Sequence, residues 1–149
     1  MKFSLVQTAS YSRDGELASD FFEKLPRVIR DHTDWEYSGQ QRADGWHLNP
    51  TFKNMPYRNS FVPEIKIVTV QDGTQTTLQI SGQPVKIVRV GMKIWFGFLA
   101  LMLILFLMIA RDSVFYALIP VGMGLFGYLL CKHGTKAAFH KVLQAISKA

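Results

Sequence analysis

The chain has 149 residues, enough for one domain with a real core and too few for two large ones. Hydrophobic residues make up 48% and charged residues 19%, and no acid or base occurs from Ile94 to Ala110 or from Ser113 to Cys131, a pattern that sets aside both a wholly soluble and a disordered chain. The formal charge of +6 is uneven: residues 1–92 carry eleven Lys and Arg against ten Asp and Glu, and residues 93–149 carry six against one, so the excess flanks the apolar runs and no nucleic acid partner is expected.

Residues 2–11, with Phe3, Leu5, Val6 and Tyr11, give a weak strand signal. Leu17, Phe21, Leu25 and Val28 then recur at helical spacing, with acids in the first turn and bases in the last, and describe an amphipathic helix that Pro26 should break or kink. From Trp35 the pattern turns to strands. Trp35 to Ser38 alternates, the Arg42-Ala-Asp-Gly45 run punctuates, and Trp46 to Leu48 starts again before Asn49-Pro50. Three prolines, at 50, 56 and 63, make the stretch between them loop or edge. Glu64–Val70 and Thr76–Ile80 are the two clearest strands, joined through the turn dipeptide Asp72-Gly73. Val85-Lys-Ile-Val-Arg-Val90 reads as one more strand, leading almost directly into the first apolar run.

The two apolar runs, about 93–110 and 114–131, read as transmembrane helices joined by Arg111-Asp-Ser113, a connection so tight that they must form an antiparallel hairpin. As a helix, Ile94 to Ala110 spans about 25 Å against a hydrocarbon layer of about 30 Å. Lys93, Trp95, Tyr116, Tyr128 and Lys132 fall where interfacial anchors belong. Lys86, Arg89 and Lys93 precede the first span and Lys132, Lys136 and Lys141 follow the second, so both termini are expected in the cytoplasm of a multi-pass inner-membrane protein. Pro120, Gly122, Gly124 and Gly127 are read as helix-packing residues, within the hairpin or between copies. Gly122-Met-Gly-Leu-Phe-Gly127 matches the letters of a dinucleotide fingerprint but lies inside an apolar span, where no strand can precede it. A pore is disfavoured, because Ile94 to Ala110 holds no hydroxyl, amide or charge.

After a break at Gly134-Thr135, residues 133–149 carry a broad apolar face with Ala138, Phe139, Val142, Leu143, Ala145 and Ile146. This amphipathic helix either lies on the membrane or returns to the sheet, and return packing is favoured because one N-terminal helix leaves sheet uncovered. The expected fold is therefore α+β: a cytoplasmic domain over 1–92 with an antiparallel sheet, the hairpin over 93–132, and the terminal helix. A strand, a helix, a run of strands and a long last helix is also the element order of helix-grip domains, which enclose apolar cavities.

Chemistry-bearing constellations are scarce. The four histidines have no partner at ligand spacing, so no metal and no cofactor are expected, and neither a nucleophile elbow nor a P-loop occurs. Tyr57-Arg-Asn-Ser-Phe-Val-Pro63, Asp72-Gly-Thr74 and a second span ending Gly122-Met-Gly-Leu-Phe-Gly-Tyr-Leu-Leu130 together resemble a group of small bacterial membrane proteins with no known activity, and the resemblance implies a bacterial membrane address and no catalytic residues. Within that motif, Tyr57, Arg58 and Asn59 have the chemistry to hold an anionic group, against the plainer reading of an edge arginine and a turn asparagine. The expectation is a non-enzymatic, membrane-anchored module that binds membrane lipid, an apolar ligand or another membrane protein, with Phe139, Val142 and Leu143 lining a groove. The alternative is a structural or regulatory subunit that forms homo-oligomers or larger complexes through Gly124 and Gly127.

Overall fold

The structure, a computed structural model, describes residues 6–14, 20–51, 61–72, 75–109 and 115–148. Its elements are β1 (Gln7–Asp14), α1 (Phe21–Thr33), β2 (Tyr37–Arg42), β3 (Gly45–Pro50), β4 (Pro63–Asp72), β5 (Gln75–Pro84), α2 (Lys86–Ile109) and α3 (Phe115–Ile146). They form an α+β architecture whose five strands make one antiparallel sheet in the order β1-β5-β4-β3-β2. The chain divides into two compact units, one of residues 1–85 with 135–149 and one of residues 86–134.

In the first unit the period-2 pattern of β4 puts Pro63, Ile65 and Ile67 on the buried face and Glu64, Lys66 and Val68 on the other. The register carries that alternation across the sheet, since Ile67 pairs with Ile80 and with Trp46, and Ile65 with Leu48. Leu25 and Ile29 of α1 and Phe139, Val142, Ala145 and Ile146 of α3 close over these residues in one core. Each fully buried Leu or Ile there contributes about 1.5–3 kcal/mol relative to exposure, so the helix stripes are what hold the sheet. Helix α1 runs unbroken through Pro26. Proline in the second turn leaves a single carbonyl, that of Phe22, without its helical donor, a smaller loss than the break expected from sequence. The helix ends on Asp34 in the left-handed conformation (φ 58°), whose N–H donates to the Arg30 carbonyl at 2.9 Å.

Two boundaries differ from the sequence reading. The segment from Lys86 to Val90 is the start of α2 and not a strand. Pro84 lies opposite Pro63, the first residue of β4, so the ladder on that side ends there, and a β-branched residue costs only tenths of a kcal/mol in a helix that already has a long apolar run to propagate from. Likewise no break occurs at Gly134-Thr135. Helix α3 is continuous over 32 residues, because one interior glycine costs about 1 kcal/mol while Thr135, Ala138, Phe139 and Val142 beyond it are buried.

In the second unit α2 is long and apolar enough to cross a membrane: the span Lys86–Met108 has 23 residues, and its apolar 18-residue window is only 6% buried. Among the described residues it is the one helix that meets that description, so the two-span hairpin expected from sequence is not established by length and composition. The connecting residues Arg111, Asp112 and Ser113 lie outside the described residues.

Candidate functional site

The helices of the second unit meet along a seam of small and large residues. Among the buried and half-buried positions of α2 are Met92, Phe96, Leu99, Leu103 and Phe106, and among those of α3 are Pro120, Gly124, Gly127 and Cys131, a three-and-four spacing that keeps one stripe facing a neighbour. A Cβ added at Gly124 would lie 3.4 Å from Leu99 and 3.6 Å from Phe96, and one at Gly127 would lie 3.4 Å from the indole nitrogen of Trp95. Further along, the rings of Phe106 and Tyr116 are 6.4 Å apart. These contacts run in opposite directions along the two helices, so α2 and the first part of α3 are antiparallel. Gly122, by contrast, meets nothing within 4 Å.

Of the expected interfacial anchors, Lys93, Trp95, Tyr116 and Lys132 are exposed and Tyr128 is half-buried, with the Lys132 ammonium 5.9 Å from the Tyr128 ring centroid. The faces turned away from the seam are apolar: Ile94, Phe98, Leu101 and Ile104 on α2, and Leu125 and Phe126 on α3, are all more than half exposed. Contiguous apolar surface on this scale needs a covering phase or partner.

In the first unit Phe139 and Val142 are core residues, and Leu143 packs against the core from its edge. The Phe139 ring sits on the backbone of Gly82, so close that a Cβ there would be 2.4 Å from Cδ2. These residues fill the space between sheet and helix. The other sequence candidates, Tyr57, Arg58 and Asn59, lie outside the described residues.

Sequence reasoning missed one polar cluster. At the β2–β3 turn the Asp44 carboxylate accepts from Lys66 Nζ at 2.7 Å and pairs with His47 Nε2 at 2.9 Å. The available signal was the register, since His47 and Lys66 are cross-strand partners and Asp44 precedes His47 by three residues around a tight turn. Hydrogen bonds from Lys66 and then His47 hold the Asp44 carboxyl down at about 2. A carboxylate held ionised to that pH has no proton to lend near neutrality, and it already engages both neighbouring bases. The trio clasps the turn to β4. Beside it an open groove of about 430 Å³ is lined by Phe22, Trp46, Asp44, Val68 and Thr69, with the Phe22 and Trp46 rings stacked at 5.2 Å.

A second groove, of about 410 Å³, lies between α1 and β2 and is lined by Glu23, Arg27, Arg30, Glu36, Tyr37 and Thr51. The Tyr37 hydroxyl donates to the Pro63 carbonyl at 3.0 Å, and burial pushes its phenol well above the ordinary range. Among the described residues no three His, Cys, Asp or Glu side chains converge as a metal site would require.

No protein family, curated protein or solved structure matches the chain. The functional reading therefore rests on the residues themselves.

Proposed function

We propose that the protein is a non-catalytic, membrane-anchored module of the bacterial inner membrane, in which α2 and the part of α3 up to Cys131 form a two-span hairpin. Both termini then lie in the cytoplasm, where the α+β unit works at the bilayer surface on lipid or on a neighbouring membrane protein. The observation that carries this reading is the exposed apolar face of α2, continued by exposed Leu118, Ile119, Val121, Leu125 and Phe126 on α3. Lipid covers such a face at no cost in unpaired backbone groups, because both segments are helical. The basic residues, placed at the ends of the helices remote from Arg111, support the orientation. The packed interface around Phe139 and Val142 favours a ligand at the bilayer surface over one inside the sheet-and-helix layer. Gly124 and Gly127 are taken up by α2 of the same chain, so no observation favours assembly through them.

The test is extraction and topology. Membranes carrying the full chain are washed with alkaline carbonate, and a protease site placed after Ala149 is probed in intact spheroplasts and in inverted vesicles. The reading requires that the protein stay with the membrane and be cut only in inverted vesicles. Release into the wash overturns the anchor, and cleavage in spheroplasts overturns the orientation.

A further inference from the structure

The polar end of the helix pair carries a charge arrangement that anchoring alone does not need. Trp95 lies against Gly127, which fixes the level at which the two helices meet. Counted from that level at 1.5 Å per residue, Lys93 is about 3 Å away along α2, Lys132 about 8 Å along α3, and Arg89 and His133 about 9 Å along their helices. Lys93, Lys132 and His133 are exposed, and neither lysine makes an ion pair with a carboxylate among the described residues. Lys86 and Arg89 have partners of their own. No Asp or Glu occurs between Lys86 and Ala110 or between Ser113 and Gly134, so nothing on either helix at this end competes for the cations.

Two further features give the collar a direction. The Lys132 ammonium is held over the Tyr128 face, and the exposed Trp95 indole lies at the same level on α2, the placement of aromatic side chains at a membrane interface. From the last residue of α2, Ile109, about 20 residues cross a hydrocarbon layer of about 30 Å, which brings the boundary to about residue 90. Lys93 then lies just inside it and reaches outward along its aliphatic stem, placing its charge among lipid phosphates.

We infer that Lys93 and Lys132 form a binding site for the headgroup of an anionic phospholipid, which the protein selects over zwitterionic lipid. The inference rests on the membrane-anchored reading and names its ligand class. Opposite charge at the headgroup level supplies the attraction.

The full chain is reconstituted into vesicles of equal parts phosphatidylcholine and phosphatidylglycerol, floated on a density gradient, and extracted in mild detergent. The phospholipid retained per protein is then measured by class. Wild type should float and retain phosphatidylglycerol in excess, Lys93→Gln and Lys132→Gln should each cut that excess about fivefold, and raised salt before extraction should lower it. Lys148→Gln, outside the collar, should keep the wild-type ratio. Equal retention of both lipids by a protein that floats overturns the site and leaves the anchor standing, as does an excess that survives both lysine changes. A protein that does not float overturns the anchor itself.

Discussion

Gly82 is where a single atom decides the packing of the first unit. Its neighbour is the body of the Phe139 ring rather than the end of a flexible chain, and both residues are buried. Gly82→Ala should therefore destabilise the protein by about 1–3 kcal/mol in denaturant unfolding, the ordinary cost of overfilling a packed core. Phe139→Leu in the same chain should recover part of the loss, and the double-mutant cycle measures how much belongs to the contact. Additive effects would place the strain elsewhere. The same position shows how sequence and structure divide the information. Phe139 was legible as one of an apolar face at helical spacing, but its role depends on a glycine some 60 residues earlier, and no local pattern joins the two. The Asp44 clasp was hidden for the same reason, because His47 and Lys66 become neighbours only through strand register.

Elements were readable where pattern and partner agreed. β4 and β5 alternate with period 2, carry a turn dipeptide between them, and each has a strand to pair with on both sides. Residues 86–90 continue an equally good strand pattern and have no ladder on the β4 side, and the chain takes them into α2. Pro26 and Gly134 were over-weighted for the opposite reason: a breaker costs about 1–3 kcal/mol, and burial of the stripe on either side exceeds it. Helix α3 offers a sharp test of this balance. If a helix began at Thr135, proline would be tolerated there as a first-turn residue. In a continuous α3 Thr135→Pro removes an interior hydrogen bond and should cost about 3 kcal/mol or more, read as a lowered unfolding midpoint. Unchanged stability would mean that the helix is two.

At the scale of the molecule, the first unit is assembled from two stretches of chain with the helix pair inserted between them. Residues 1–85 alone lack Ala138, Phe139, Val142, Ala145 and Ile146, and the buried faces of β4 and β5 lose their cover. A fragment of residues 1–85 should therefore be unfolded by amide dispersion in NMR. Residues 1–85 joined to 135–149 through a flexible Gly/Ser linker should fold without residues 86–134. A folded 1–85 fragment would make α3 an accessory rather than part of the core. The α+β class with its antiparallel sheet was legible in composition and periodicity. The exact junctions at Val85 and Thr135 were not, because long-range packing sets them.

The inserted arrangement also imposes an order on birth. Between Val85 and the last core residues of α3 lie roughly 60 residues, which at roughly 5–20 residues per second take the ribosome roughly 3–12 seconds to add. During that interval the sheet and α1 are already made and their apolar face is open, while the most hydrophobic part of the chain is still emerging. Maturation is then a race between closing the sheet and sticking to whatever else is nearby, and slow delivery of residues 86–134 lengthens the vulnerable period in direct proportion.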